Sequence, residues 1–207
     1  MKRPLEKPIT YLITKGDADH ANFKSKKNEI LGLIVLAVEA GISLVQIREK
    51  NLSARLLFVL TQDAVEIARK SSTRILVNGR ADVALAAGAD GVHLPADGLP
   101  ANVIRKNFPP HFLIGVSTHS AEEALNARSN GADFVTFGPI FESPGKGKPQ
   151  GLEMLKKLSA SLHPFPVIAL GGIDETNYAS VLQSGASGFA AIRFLNTESS
   201  LRGLFTI

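Results

Sequence analysis

The stretch Arg74 to Pro100, RILVNGRADVALAAGADGVHLPADGLP, reads as strand, loop, helix, strand, loop. Apolar and β-branched residues at Arg74 to Val77 and Gly91 to Leu94 suit strands, and Ala81 to Ala87 between them has the composition of a helix. Its two loops are Asn78-Gly79-Arg80 and Pro95-Ala96-Asp97-Gly98. Each follows the carboxyl end of an expected strand, where parallel α/β proteins place their chemistry.

The same unit continues in both directions. Further strands are expected at Ile9 to Thr14, Ser43 to Arg48, Phe112 to Val116, Phe134 to Phe137, Val167 to Ala169 and Gly188 to Ile192, which makes eight in all. Helical periodicity falls between them, at Lys27 to Ala40, Ser53 to Lys70, Pro100 to Asn107, Ala121 to Asn130, Leu152 to Leu162, Glu175 to Ser184 and a short segment after Thr197. Ser53, Ser120 and Asp174 are placed to accept from the free N–H groups of a first helical turn. Gly-Ala-Asp or Gly-Ala-Ser recurs at 88–90, 131–133 and 185–187, each time leading from a helix into an apolar strand. Such repetition points to a single (βα)8 TIM-barrel domain over residues 1–207, ahead of a doubly wound open sheet.

The composition fits that size. Of 207 residues, 44% are apolar and 20% charged, enough for one large core. With no cysteine, disulfides, thiol catalysis and cysteine-held metals are all excluded. The longest apolar runs, such as Leu31 to Val38, fall far short of the about 20 residues that span a bilayer. The basic start is followed by a short apolar stretch next to Pro8, so no secretory signal is expected and the cytoplasm is the default location. The net charge of +4 is dispersed apart from Lys24 to Lys27, which argues against nucleic acid and membrane partners. Arg48, Lys50, Arg80, Lys146, Lys148 and Arg193, near strand ends, suit an anionic small molecule instead.

In a barrel the loops after the strands share one mouth. Gly171-Gly172-Ile173 after strand seven, with Ala191 and Ile192 at the end of strand eight, has the place and composition of a backbone phosphate cradle. Alternation along Gln46-Ile47-Arg48-Glu49-Lys50 puts Gln46, Arg48 and Lys50 on one face, where inward charge requires a ligand or a carboxylate. Asn78 can donate and accept at a ring edge, although Asn-Gly is also a common turn pair. His93, alone within a strand, reads as a satisfied core or mouth residue. Ser117-Thr118-His119-Ser120 closes strand five with hydroxyls and an imidazole suited to proton transfer near neutral pH. The loop from Phe137 to Gly151, carrying Ser143, Lys146 and Lys148, has the length and glycine content of a mobile lid.

QIREK, VNGRADVAL, GADGVHLP, IGVSTHSAEEA, GADFVTFGPIFES, KPQGLEML and PVIALGGI occur in that order. Together they resemble the thiamine phosphate synthase/TenI family over Tyr11 to about Leu195. The resemblance implies a TIM barrel of thiamin biosynthesis that binds a thiazole phosphate and, in the synthases, an aminopyrimidine diphosphate whose leaving group magnesium neutralises. The two aspartates that synthases commonly supply to magnesium fall here on Gly79 and Gly98, and only Asp97, one residue out of register, would serve. Asn78-Gly79-Arg80 and Leu94-Pro95 resemble the TenI branch, which implies a thiazole tautomerase moving a proton without metal, with His119 as acid and base. Gln46, Arg48, Lys50, Asn78, Ser117 and Ser143 then hold the substrate, and the backbone at Gly171, Gly172, Ala191 and Ile192 its phosphate.

No cofactor is expected on that reading, and magnesium only for a synthase. The alternatives are a divergent synthase using Asp97 and a noncatalytic binder of thiazole phosphate or thiamin phosphate. Arg193 departs from the small residue common in the family beside the phosphate. The short tail, Asn196 to Ile207, leaves the eighth helix open, and with it a barrel edge for a second copy of the chain to cover.

Overall fold

The computed structural model describes residues 5–204, so the ends of the expected domain, 1–4 and 205–207, lie outside the described residues. Eight strands close a barrel in chain order: β1 (Ile9–Ile13), β2 (Leu44–Ile47), β3 (Arg74–Asn78), β4 (Gly91–Leu94), β5 (Leu113–Thr118), β6 (Phe134–Phe137), β7 (Val167–Leu170) and β8 (Gly188–Ala191). The pairing is parallel, for instance Val45 opposite Ile75 and Gly115 opposite Phe134. This is the (βα)8 TIM barrel; the open sheet is excluded by closure.

The helices are α1 (Phe23–Glu39), α2 (Ala54–Ala68), α3 (Ala81–Ala86), α4 (Ala101–Asn107), α5 (Ala121–Ser129), α6 (Gly151–Leu162), α7 (Tyr178–Gln183) and α8 (Glu198–Gly203), the last preceded by a 3-10 turn at Phe194–Asn196. Ser53 and Ser120 cap α2 and α5 as expected, accepting from the N–H groups of Leu56 and Glu123. Thr197 caps the short α8 in the same way, accepting from Ser200. Asp174 does not cap α7. Its carboxylate instead accepts from the backbone and hydroxyl of Thr176, so helical geometry is delayed until Tyr178. No helix of the described residues is long and apolar enough to cross a membrane.

The repeated Gly-Ala-Asp/Ser phrase has one structural job. The N–H groups of Asp90, Asp133 and Ser187 donate to the carbonyls of Ile75, Ile114 and Val167, tying the start of β4, β6 and β8 to the strand before each. The two aspartates do more: Asp90 Oδ2 accepts from Ile75 N and Asp133 Oδ2 from Ile114 N, both at 2.8 Å. Each aspartate therefore ties the strand pair in both directions, donating by its N–H and accepting by its carboxylate, and Arg105 neutralises Asp133 at 2.7 Å.

The chain divides into two compact units, one built on His93–Ala191 with the segment up to Thr10, the other on Tyr11–Val92 with the segment from Ile192. In the first, Phe112, Phe134, Phe137 and Phe189 are buried among the strands. In the second, Tyr11, Leu12, Ile34, Leu44, Ile47 and Leu60 form the core.

Candidate active site

In the His93–Ala191 unit, His119 lies just past the end of β5. Its Nδ1 lies 2.6 Å from the Gly138 carbonyl oxygen. A carbonyl can only accept, so Nδ1 carries a proton and the neutral ring keeps its lone pair on Nε2. The backbone is held on both sides: His119 N donates to Glu123 Oε2 at 2.6 Å, and His119 O accepts from Gln150 Nε2 at 2.9 Å. Among the described residues Nε2 has no partner. The arrangement is a base with one nitrogen occupied, a fixed backbone and the other nitrogen available.

One strand away in sequence order, His93 on β4 is 2% exposed. Nε2 sits 2.9 Å from Ser117 Oγ and 3.5 Å from Thr136 Oγ1, and the ring leans on Phe134 with centroids 6.0 Å apart. A Cβ on Gly115 would come within 2.7 Å of His93 Nδ1, so the glycine in β5 makes room for this imidazole. Burial pushes its pKa from 6.5 down to about 3, leaving it neutral. The interior reading of His93 is met, and it holds Ser117, one of the expected ligand residues, in place.

Gly171 and Gly172 follow β7 with φ of +102° and +66°, a region that favours glycine. Side chains there would also collide with the loop after β6: a Cβ on Gly171 falls 2.6 Å from Pro139, and one on Gly172 2.5 Å from the Glu142 carbonyl oxygen. No hydrogen bond donated by the N–H of either glycine is found among the described residues. Leu170, just before them, pairs with Ala190 of β8, and Ala191 ends that strand. The expected phosphate residues of this unit therefore lie on adjacent strand ends.

The expected lid is anchored at both ends. Ile140 N donates to Leu170 O and Phe141 N to Gly171 O, while Gln150 N and Gly151 N return to the carbonyls of Pro139 and Ile140. Exposed chain is confined to its tip, where Ser143 O accepts from Lys146 N and Lys146 and Lys148 face solvent. Asp97 is exposed on the turn after β4, closed by Gly98 N donating to Pro95 O.

In the other unit, Gln46 is buried on β2 and donates to the Tyr11 hydroxyl at 3.0 Å. The alternation expected through Lys50 stops with the strand at Ile47. Arg48 is half-buried, its guanidinium packed against Gly16, whereas Lys50 is exposed on a turn and does not share an inward face with Gln46. Glu49, for which the sequence suggested no role, is a buried anchor. Its carboxylate accepts from Thr14 Oγ1 (2.6 Å), Gly16 N (3.1 Å) and Ala18 N (2.9 Å), and Arg48 N donates to the same Thr14 hydroxyl. Glu49→Gln places an amide N–H group against a backbone donor, and chemical denaturation is expected to show a loss of about 1.5–3 kcal/mol.

Asn78 ends β3, half-buried, and Arg80 is taken up by a bidentate pair with Asp82 at 2.8 and 2.6 Å, which lowers the Asp82 pKa. Ile192 carries on from β8 into the 3-10 turn, where Asn196 Nδ2 donates to the carbonyls of Ile192 and Ile13, and Arg193 is exposed. A cavity of about 240 Å³ lies between the loop after β1 and α1, lined by Lys15, Glu29, Leu33, Leu36 and Asn196 among others, and contains none of the expected site residues.

The family model described as thiamine monophosphate synthase matches residues 10–195. The chain belongs to this thiamine phosphate synthase/TenI family. A putative thiamine-phosphate synthase of Geobacter sulfurreducens is 43% identical over 167 residues, 79% of this chain and 78% of that protein. The thiamine-phosphate synthase of Caldanaerobacter subterraneus subsp. tengcongensis is 36% identical, with 86% and 87% covered. Among solved structures, a thiamine phosphate pyrophosphorylase from Pyrococcus furiosus superposes with a TM-score of 0.80 at 31% identity, covering 94% of this chain and 90% of that one. The seven ordered motifs fall within the matched residues. The relatives' names, however, favour the synthase branch over the tautomerase branch.

Proposed function

We propose that this member of a thiamin-biosynthesis enzyme family is a thiazole tautomerase acting on a thiazole carboxylate phosphate. The observation that carries the reading is His119, with Nδ1 committed to Gly138 O and Nε2 without a partner among the described residues. Nε2 takes the proton from the ring carbon, the electron pair shifts along the conjugated bonds, and the same nitrogen returns a proton to the exocyclic carbon. Nothing is lost or gained, so no co-reactant is required. The imidazolium formed in between keeps its hydrogen bond to Gly138 O, which strengthens when the ring is charged. On this reading the phosphate is assigned to the N–H groups of Gly171 and Gly172 and the backbone of Ala191 and Ile192, and the substrate-binding roles to Ser117 and Ser143 and, in the other unit, to Gln46, Arg48 and Asn78. Lys50, exposed on its turn, is left to long-range attraction of the anion.

The second reading is a thiamine phosphate synthase, favoured by the names of the relatives. It requires magnesium at a diphosphate. The donors present are a poor match: Gly79 and Gly98 stand where the synthases commonly have aspartates, Asp97 is an isolated exposed carboxylate, and among the described residues no three His, Asp or Glu side chains gather to hold an ion.

Purified protein given the thiazole carboxylate phosphate is expected to form the isomer at the same rate with or without a chelator. Given aminopyrimidine diphosphate, thiazole phosphate and magnesium, it is expected to release no diphosphate. Magnesium-dependent diphosphate release would establish the synthase instead. Neither product, with a melting temperature raised by thiazole phosphate or thiamin phosphate, would mark a binder.

A further inference from the structure

The contacts around His119 form a closed ring. His119 Nδ1 donates to Gly138 O; the next residue, Pro139, accepts at its carbonyl from Gln150 N at 2.8 Å; and Gln150 Nε2 donates back to His119 O at 2.9 Å. Gly138 and Gln150 stand at the two ends of the long loop between β6 and α6. Both ends therefore grip the same residue, one at its imidazole and one at its backbone. Gln150 Nε2 reaches only the His119 carbonyl among its described partners, so its amide acts on the ring through the backbone.

We propose that Gln150 is a positioning residue that fixes the tautomer and orientation of His119 by tying it to the seated β6–α6 loop. The Gly138 carbonyl selects the Nδ1–H tautomer only while His119 and the loop keep their 2.6 Å spacing. The Gln150 amide, with the Pro139 contact behind it, holds that spacing. Glu123 bounds the other side of His119 by accepting its N–H, and because Glu123 N donates in turn to Ser120 Oγ, this second restraint is carried by α5 and not by the loop. Two independent elements thus hold the His119 backbone, and the loop's hold on that backbone passes through a single side chain.

The inference rests on the tautomerase reading for its effect on rate, but its structural content is readable without turnover. In Gln150→Glu an oxygen of the same reach replaces the donor and opposes the His119 carbonyl. The kcat of tautomerisation is expected to fall about tenfold with KM nearly unchanged, as for a lost orienting hydrogen bond. Nitrogen-15 NMR of the imidazole is expected to show protonated Nδ1 and bare Nε2 in the wild-type protein, and a mixture of tautomers in the variant. Gln150→Lys, which returns an N–H donor to the same carbonyl, is expected to recover most of the rate and the wild-type nitrogen pattern. A purely structural role would lower the melting temperature without altering that pattern. An unchanged imidazole spectrum in Gln150→Glu would overturn the proposal, whatever the rate. If the wild-type protein proves to have no tautomerase activity, the function fails but the spectra still decide the positioning role.

Discussion

His119→Ala is expected to lower kcat for tautomerisation by about 10²–10⁴-fold, the usual share of a positioned acid–base group, while KM changes little. The variant is a clean probe because the contacts that fix this residue's backbone do not involve its ring: Glu123 holds the N–H and Gln150 the carbonyl, and both survive truncation to alanine. What disappears is the imidazole and its bond to Gly138 O, a loss of about 1 kcal/mol in stability. His119→Asn separates the ring's two roles, since a side-chain amide can still donate toward Gly138 O but is no base at neutral pH. Both variants are expected to show that loss of kcat while remaining folded, as read by steady-state kinetics and thermal melting. A His119→Ala enzyme within about threefold of wild-type kcat would remove His119 from the chemistry.

The barrel was legible because its units draw on the same few signals: apolar strands throughout, helix caps at Ser53 and Ser120, and a glycine ahead of the next strand at Gly41, Gly88, Gly131 and Gly185. Local pattern reached as far as local geometry does. It overran at Lys50, where alternation was extended past the last paired residue, Ile47, into a turn that has no faces. It also misplaced Asp174, since a carboxylate before Glu-Thr-Asn can turn onto Thr176 as readily as cap a helix. Glu123 left a trace in the sequence, as Ser120-x-x-Glu123 is a capping-box pattern, although its carboxylate accepts from His119, one residue earlier than the cap itself. Gln150 left none. Its contact to His119 spans 31 residues and exists only because β5 and β6 are neighbours, with Thr118 opposite Phe137. Glu49 was hidden for a similar reason: its three donors come from the loop after β1, across the β1–β2 pairing.

The same cross-strand register makes His93 a liability in acid. Gly115, Ser117, Phe134 and Thr136 surround it on two neighbouring strands, and burial lowers its pKa from 6.5 to about 3. In the unfolded chain the imidazole takes up a proton at its usual value, so between these limits the unfolded state binds more protons and stability falls as pH falls. Above about pH 6.5 both states are neutral and the contribution is complete; below about pH 3 both are charged and the slope ends. Each pH unit inside the window costs about 1.4 kcal/mol, approaching about 5 kcal/mol over the whole of it. Carboxylates titrate in the lower part of the same range, so the measurement is a difference. Urea unfolding of wild type and His93→Gln at pH 7, 6, 5 and 4 is compared pair by pair, and groups common to both cancel. The variant is expected to be less stable than wild type at pH 7, through the disturbed Ser117 contact and packing, and the wild-type advantage is expected to shrink and then reverse as the pH falls. A difference independent of pH would mean that His93 takes up its proton equally well inside the barrel, so that water or a rearranged hydroxyl reaches the imidazole between β4, β5 and β6.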